Sequence, residues 1–235
     1  MTSENGGPGT GVLDHPAWAA LTGPHRGFAV TGPAGLAVRY PGDVSPLAAL
    51  HDPADPRAWA DLAALAEPGG LLLVTGLSGP PEGWETVVSL PGVQLDGRDV
   101  RGRASAQAVP LGPADVPEML ELVALAKPGP FRERTVELGT YLGIRHEGRL
   151  VAMAGERMRP AGWSEISAVC THPGHRGRGL GALLTRAVVA AIRERGDQPF
   201  LHAAAENAGA VRLYESMGFR LRRRPSFFGV RPPAP

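Results

Sequence analysis

Several residue types are scarce in this chain, and each scarcity excludes a class of protein. Cys170 is the only cysteine among 235 residues, so the chain cannot form an intrachain disulfide or a metal site built from several cysteines. No apolar run comes near the ~18 residues that a membrane-spanning helix requires. The net charge is only +1, so no overall field would draw the chain to nucleic acid or to an anionic membrane.

The start of the sequence also lacks a secretory signal. The opening residues, MTSENGGPGTG, have neither the basic start nor the apolar core of a signal peptide. We therefore expect a cytoplasmic protein. The hydrophobic fraction of 43% is high enough for a substantial core, and the length allows one large domain or two small ones.

The two halves of the chain differ in composition and in hydrophobic pattern, and we place a boundary near Ala104. The first half is rich in proline and glycine between short apolar segments. Its predicted elements are a helix at 55–67 and strands at 35–40, 70–76 and 84–90. The polar segment LDGRDVRGR at 95–103 predicts a connection. The predicted domains are therefore a small α/β region at 1–103 and a second domain at 104–235.

The second half has cleaner hydrophobic periodicity. It predicts a strand, a helix, three strands, a helix, a strand, a helix and a strand, which is the order of a mixed α/β domain. The segment NAGAVRLYESMG at 207–218 is the last of these helices, with Asn207 as its N-cap. We predict that the basic end, RLRRRPSFFGVR, is a last strand followed by a solvated tail. The near-zero net charge argues against a nucleic-acid surface there.

A glycine-rich loop, HPGHRGRGLG at 172–181, lies between a predicted strand and a predicted helix. The first N–H groups of a helix lack intrahelical partners and carry partial positive charge. Because glycine has no Cβ, a phosphate can approach these groups closely. The helix start lacks the Lys-Ser/Thr of a Walker loop, and Gly177, Gly179 and Gly181 are spaced G-x-G-x-G rather than G-x-G-x-x-G. The loop therefore predicts an anion site of another kind.

Two motifs make the chain resemble one family. The pattern R-x-x-G-x-G at 176–181 is similar to the pyrophosphate-binding motif of the GNAT superfamily of acyl-CoA-dependent N-acyltransferases. The pattern N-x-x-A-x-x-L-Y-x-x-x-G-F at 207–219 is similar to the next signature of that family. The resemblance covers about 104–224 and implies a GNAT-like mixed β-sheet flanked by helices. The first half resembles the extra N-terminal region of two-part members, and we interpret it as a candidate degenerate copy of the fold.

The resemblance implies that acetyl-CoA binds as a co-substrate and that no metal is needed. The pyrophosphate would lie on the loop amides, and the pantetheine arm would run between two splayed strands at 164–171 and 200–204. The backbone N–H of Val169 would polarise the thioester carbonyl. The implied coenzyme-binding residues are Ala168, Val169, Cys170, Thr171, Arg176, Gly177, Arg178, Gly179, Leu180, Gly181, Ala182, Asn207 and Tyr214.

Two side chains are implied as catalytic. Tyr214 would protonate the departing thiolate as a general acid; the alternative is a tyrosine that only packs in the core. Glu165 lies in an otherwise apolar strand, where a carboxylate is costly to bury. Some family members carry a glutamate base at this offset from the loop. The alternatives for Glu165 are a structural carboxylate or one that recognises the substrate ammonium. Cys170 is interpreted as a small core or coenzyme-lining residue. A covalent nucleophile is disfavoured, because no histidine–asparagine pattern accompanies it and the family transfers the acyl group directly.

The predicted function is therefore an N-acetyltransferase in which a primary amine attacks acetyl-CoA directly. The acceptor would be a small-molecule amine or a peptide amine, without nucleic acid or membrane as partner, and a homodimer is compatible with the sequence. Two alternatives stay open. One is a non-catalytic acyl-CoA-binding sensor, and the other is an N-acyltransferase that uses a longer acyl chain.

Overall fold

The computed structural model describes residues 10–67, 69–75 and 79–233. The helices are α1 (Pro16–Leu21), α2 (Pro56–Ala64), α3 (Val116–Ala126), α4 (Leu180–Glu194) and α5 (Ala208–Ser216). The strands are β1 (Val30–Thr31), β2 (Ala37–Arg39), β3 (Ala48–Leu50), β4 (Leu72–Thr75), β5 (Glu85–Asp96), β6 (Val109–Leu111), β7 (Tyr141–His146), β8 (Arg149–Glu156), β9 (Trp163–Thr171), β10 (Gln198–Ala204), β11 (Arg220–Arg223) and β12 (Ser226–Arg231). Short 3-10 helices lie between several of them.

The described strands form a small and a large sheet. The small sheet has the order β1-β2-β3, and the nine-stranded sheet has the order β4-β12-β5-β10-β9-β8-β7-β6, with β11 also paired to β5. Strands β9 and β10 run parallel, and a parallel pair needs a crossover, which α4 supplies. A mixed sheet flanked by helices, with a smaller N-terminal sheet, is the fold class that the sequence predicts.

Strand β5 joins the two halves of the chain. It extends to Asp96, so Leu95 and Asp96 belong to a strand and not to the predicted connection at 95–103. It pairs with β10 on one edge and with β11 and β12 on the other. The predicted boundary near Ala104 therefore separates the halves along the chain but not within the sheet. The domains 1–103 and 104–235 stay a prediction.

The predicted solvated tail is wrong, because the basic end of the chain forms β12. This strand lies between β4 and β5. Phe228 and Val230 are buried in a cluster with Leu72 and Val74. The arginines before β12 suggest a solvent-exposed end, whereas the strands that cover the apolar side chains come from more than a hundred residues earlier.

Two hydrophobic clusters cover opposite faces of the large sheet. Leu201 packs with residues of α4 and α5, whereas the neighbouring Phe200 packs with Leu13, Leu21 and Tyr40 of the N-terminal part. Successive strand residues point to opposite faces, so the N-terminal part covers the face that α4 and α5 leave free. None of the described helices is long and apolar enough to span a membrane.

The N-terminal core contains a buried histidine that should make the protein sensitive to acid. Nδ1 of His25 lies 2.9 Å from the hydroxyl of Tyr40, and burial, together with the Arg159 charge, lowers the pKa of His25 to about 4. An unfolded histidine titrates near ~6.5. Between these values the unfolded chain binds a proton that the folded chain does not bind. The free energy of unfolding should therefore fall by about 3 kcal/mol as the pH drops from about 6.5 to about 4.

Urea unfolding at pH 7 and at about pH 4.5 measures this loss. We expect His25→Asn to lose less of its unfolding free energy on acidification than the wild type, because the proton-binding difference is gone. His51→Asn removes an exposed histidine and should behave like the wild type. An equal acid loss in His25→Asn and the wild type would assign the effect to other groups.

Candidate active site

The sheet opens between β9 and β10. The two strands are paired from Trp163 and Gln198 up to Ile166 and Leu201. Beyond these residues β9 stays paired with β8 and β10 stays paired with β5, and no further β9–β10 pair occurs among the described residues. The strands therefore diverge within the predicted segments 164–171 and 200–204. The divergence leaves a cleft that can accept an extended ligand alongside each strand edge.

A bulge shapes the β9 wall of this cleft. Met153 of β8 pairs with Cys170, and Gly155 pairs with Ser167, so Ala168 and Val169 together oppose one residue of β8. Ala168 adopts a left-handed backbone with φ of +53°, which is uncommon for a residue with a side chain. Bulges redirect backbone groups and often lie beside functional sites. This bulge falls at the residue predicted to contact the thioester.

The loop after β9 offers a continuous row of backbone donors. The N–H groups from Gly177 to Ala182 have no protein acceptor in the described part of the chain. The last three belong to the first turn of α4, where the helix dipole adds partial positive charge. The segment can therefore hold an anion with several hydrogen bonds at once.

Two glycines give the loop its shape. Gly177 and Gly179 have φ of +75° and +74°, a left-handed conformation that glycine adopts without cost. A Cβ added to either residue would meet no atom within 4 Å. The positions are therefore open toward solvent, and glycine is required there by the backbone conformation and not by crowding within the protein.

The arginine side chains of the loop are exposed and weakly held. Nε of Arg176 lies 3.4 Å from the carbonyl of Thr171, and Nη2 of Arg178 lies 3.4 Å from the carbonyl of Gly174. Neither guanidinium has a carboxylate partner among the described side chains. Both can therefore turn toward a phosphate without breaking an ion pair.

Tyr214 lies on α5, which begins as the sequence predicts. The side chain of Asn207 accepts a hydrogen bond of 3.1 Å from the N–H of Ala210 and caps the helix. Tyr214 is buried, and its ring packs edge-on against Phe219. Burial, with a contribution from Cys170, raises the pKa of Tyr214 to about 12. The phenol therefore stays protonated at neutral pH, as a proton donor must.

Cys170 is a poor nucleophile in this environment. The thiol is buried, and burial raises its pKa to about 12. A thiol with this pKa carries almost no thiolate at neutral pH. The side chain lies on β9 in the cluster that contains Ala168 and Tyr141, which suits a lining role.

Glu165 forms a buried, bidentate ion pair with Arg157. The carboxylate is fully buried and accepts hydrogen bonds of 2.8 Å from Nε and 2.6 Å from Nη2 of Arg157. Nδ1 of His202 lies 2.7 Å from the same carboxylate. Burial opposes ionisation, but the Arg157 charge and the three hydrogen bonds outweigh it and lower the pKa of Glu165 to about 2. The carboxylate is therefore ionised and a weak base at neutral pH.

The hydrogen bonds around His202 assign a role to each of its two ring nitrogens. Arg222 can only donate, so its contact of 2.8 Å identifies Oε1 of Gln94. Nε2 of Gln94 then donates both to the carbonyl of Leu13, at 2.8 Å, and to Nε2 of His202, at 3.1 Å. Nδ1 of His202 is therefore the ring nitrogen that donates to the carboxylate of Glu165.

This hydrogen-bond chain ties the N-terminal part to the cleft. Arg222 also contacts Asp14 at 2.7 Å. The hydrogen-bond chain therefore runs from the half-exposed Asp14 through Arg222 and Gln94 to His202, the first residue of β10 beyond the pairing with β9. Sequence analysis missed Arg157, Gln94 and His202. The sequence contains one relevant signal, the glutamate within an apolar strand. A buried carboxylate requires a cationic partner, but the sequence does not identify that partner.

The structure brings most of the predicted site residues to one cleft. Residues 168–171 form its β9 wall, the amides of 177–182 lie at the end of that wall, and Tyr214 packs in the same cluster as Leu180 and Val169. Ile166 packs toward α4. Because successive side chains of a strand point to opposite faces of the sheet, the side chain of Glu165 lies on the other face, among the N-terminal residues.

Comparisons with known proteins identify the family and support the fold. A family model described as FR47-like protein matches residues 141–228. The crystal structure of a protein assigned to the GNAT family of acetyltransferases, from Novosphingobium aromaticivorans, covers 94% of this chain and 99% of its own. It has a TM-score of 0.86 and 39% sequence identity.

Curated relatives match over shorter stretches. The mycothiol acetyltransferase of Thermobispora bispora is 44% identical over 82 residues, which cover 34% of this chain and 27% of that protein. The N-alpha-acetyltransferase RimI of Mycobacterium tuberculosis is 36% identical over 90 residues, which cover 36% of this chain and 56% of that protein. The matched stretches thus span about a quarter to about a half of these relatives.

Proposed function

The chain belongs to the GNAT family of acetyltransferases, and we propose on this premise that it transfers the acetyl group of acetyl-CoA to a primary amine. The observation that carries the proposal is the row of unpaired amides at 177–182 beside the diverging strands β9 and β10. An anion site at the end of an open strand edge suits a ligand with a pyrophosphate and an extended amide-containing arm.

The residues of the cleft fit this coenzyme. The amides of 177–182 would hold the pyrophosphate, and Arg176 and Arg178 would add charge. The edge of β9 at 168–171 would bind the pantetheine arm, with the N–H of Val169 donated to the thioester oxygen. When bound, acetyl-CoA supplies an activated acetyl group. The cleft holds this group in place for the amine, which lowers the entropic cost of the encounter.

Tyr214 would act as the general acid. Its pKa of about 12 keeps the proton on the phenol until a basic thiolate forms nearby. The hydroxyl has no hydrogen-bond partner in the part of the chain that the structure describes. The proton is therefore free to be donated to the sulfur.

For Glu165, the geometry favours the structural role among the three that the sequence leaves open. A carboxylate with a pKa of about 2 accepts a proton from an alkylammonium against a large free-energy difference. It is also closed off by Arg157 and His202. We propose that Glu165 fixes β8, β9 and β10 around the cleft, so that the acceptor amine loses its proton to water or to a group not bound in this ion pair.

An assay of thiol release tests the proposed function. Acetyl-CoA is incubated with small-molecule amines and with peptides that carry a free α-amine, because the curated relatives are named for acceptors of both kinds. We expect amine-dependent release of coenzyme thiol and an acetylated product by mass spectrometry. Tight coenzyme binding without turnover on any amine would favour the sensor alternative. Faster turnover with longer acyl-CoA donors would favour the second alternative.

The loop glycines offer a direct test of the amide site. We expect Gly179→Ala to raise the Kd for coenzyme A about tenfold, equivalent to about 1.4 kcal/mol. The left-handed conformation at this position is unfavourable for alanine, so the loop should shift and weaken at least one N–H contact to the pyrophosphate. Isothermal titration calorimetry measures the Kd.

A second glycine provides the control. Gly35 has φ of +70°, is exposed, and a Cβ added there would have no atom within 4 Å. Gly35→Ala should therefore lose similar stability but leave the Kd for coenzyme A unchanged. If both variants bind the coenzyme as the wild type does, the row of amides does not hold the pyrophosphate.

A further inference from the structure

A second cavity adjoins the amide row. It has a volume of about 280 Å³, near the lower end of the range for small-ligand pockets, about 300–1,000 Å³. Arg178 and Leu180 form one wall, and they belong to the segment with unpaired amides. His146 and Val151, from the ends of β7 and β8, form the opposite wall. A ligand on the amides can therefore extend into this cavity.

The cavity is lined by potential cations. The ring of His175 contacts the ring of His146, with centroids 5.1 Å apart, and Arg178 has no carboxylate partner among the described side chains. No aspartate or glutamate of the described ranges lines the cavity. Arg145 also lines it, but its guanidinium is bound to Asp115 at 2.6 Å and Glu118 at 2.9 Å. Nε2 of His146 lies 3.9 Å from Oε1 of Glu147. Arg178 and His175 therefore line the cavity without a carboxylate in contact among the described side chains.

A metal ion does not suit this arrangement. No group of three His, Cys, Asp or Glu side chains in the described part of the chain is placed to hold a metal ion. His172 lies 5.7 Å from His175 between ring centroids, but its Nδ1 accepts the N–H of Gly174 and so caps the turn. The donors favour an anion instead.

The charges around His175 also suit an anionic ligand. Burial, Arg178 and the neighbouring imidazoles of His146 and His172 lower the pKa of His175, while Glu147 opposes them. The imidazole therefore carries less charge in the free protein than it would beside a bound anion. A dianion would favour protonation of His175 and gain a charge-assisted hydrogen bond.

We propose that this cavity binds the phosphomonoester on the ribose of the coenzyme, while the amides of 177–182 bind its pyrophosphate. The inference rests on the proposed function, since it takes coenzyme A as the ligand. Coenzyme A carries one phosphomonoester apart from the pyrophosphate, and the cavity supplies His146, His175 and Arg178 as donors next to the pyrophosphate site. The protein would thereby distinguish coenzyme A from its 3′-dephospho form.

Calorimetry with coenzyme A and 3′-dephospho-coenzyme A tests the proposal without requiring turnover. We expect the wild type to bind the dephospho form about tenfold more weakly. The double variant His146→Ala/His175→Ala, which keeps Arg178, should bind coenzyme A more weakly than the wild type does and so lose most of the tenfold discrimination. It should bind the dephospho form with an unchanged Kd. His51→Ala, which removes an exposed histidine elsewhere, should retain the tenfold discrimination.

The outcomes separate the two proposals. Equal affinity of the wild type for both ligands, or an equal loss of affinity for both in the double variant, overturns the phosphomonoester site. Loss of discrimination in the double variant alone supports it, even if no amine is acetylated. In that case the proposed transfer reaction fails while the cavity assignment stands.

Discussion

Replacing Glu165 by glutamine should lower the free energy of unfolding by about 3–4 kcal/mol, because it leaves a buried guanidinium without its counter-charge. The carboxylate accepts from two nitrogens of Arg157 and from Nδ1 of His202. A carboxamide has one oxygen in place of two, so at least one of these donors would face an N–H₂ group. Urea unfolding at neutral pH measures the loss.

The pH dependence of stability has a definite sign for this residue. The folded pKa of Glu165 is about 2, below the ~4.3 of an unfolded glutamate. The stabilisation is therefore complete above about pH 4.5 and is lost as the pH falls toward 2. Glu165→Gln should abolish this loss of unfolding free energy between about pH 4.5 and about pH 2. The separate loss near pH 5, which we attribute to His25, should remain.

A double variant separates stability from catalysis. Arg157→Met/Glu165→Leu replaces the buried ion pair by apolar side chains of similar size, a change that is often neutral or stabilising. If Glu165 has the structural role, this variant should regain part of the unfolding free energy lost in Glu165→Gln. The remaining loss, about 1–3 kcal/mol, is the cost of the buried Nδ1–H of His202 left without its acceptor. The kcat of this variant should stay within about tenfold of the wild-type value. Recovered stability with kcat still reduced by about 10²-fold or more would instead show that Glu165 acts on the amine.

The features that the sequence predicts well are local ones. The loop glycines, the helix start after them and the Asn207 cap depend on a few consecutive residues, and each has a backbone reason that can be read from the sequence. Gly177 and Gly179 have the left-handed conformation, and Asn207 caps α5. The backbone conformation of the loop and the start of α5 could therefore be predicted before the fold was known.

The surroundings of Glu165 could not be predicted, because they come from distant parts of the chain. Arg157 lies on the chain just past β8, His202 is on β10, and Gln94 belongs to the first half. Pairing of β5 with β10 brings Gln94 opposite His202. Nothing in the local pattern of WETVVSLPGVQL at 84–95 indicates that its far end enters the centre of the larger sheet.

The long range of these contacts also explains the role of the first half. Leu13 and Asp14 anchor Gln94 and Arg222, and the N-terminal cluster covers the face on which Glu165 lies. The N-terminal part therefore covers the face of the sheet opposite α4 and α5, where β9 and β10 are paired. An interpretation as a candidate degenerate copy of the fold is compatible with this role but is not needed to explain it.

Tyr214→Phe should lower kcat by at least about 10²-fold, the usual contribution of a positioned general acid. It should leave the KM for acetyl-CoA within about threefold, because the phenol acts on the thiolate that forms during transfer and not on the bound thioester. The hydroxyl has no hydrogen-bond partner among the described residues, so the free energy of unfolding should change by less than about 1 kcal/mol. Steady-state kinetics and urea unfolding measure the two effects.

Tyr141→Phe is the matched control. Its hydroxyl is buried and, like that of Tyr214, has no hydrogen-bond partner among the described residues, so the substitution removes the same atom from a residue that has no proposed catalytic role. We expect Tyr141→Phe to keep the wild-type kcat. A comparable fall of kcat in both variants would indicate a packing effect and not a proton transfer.

The pH profile distinguishes the acid from a residue that only binds. With a pKa of about 12, Tyr214 keeps its proton throughout the range from about pH 6 to about pH 10. Its ionisation therefore cannot produce a rise or fall of kcat within that range. The profiles of kcat for the wild type and Tyr214→Phe should therefore have the same shape and differ by a constant factor. A raised KM with unchanged kcat would contradict the general-acid role, because it would show that the hydroxyl binds the coenzyme equally before and during transfer.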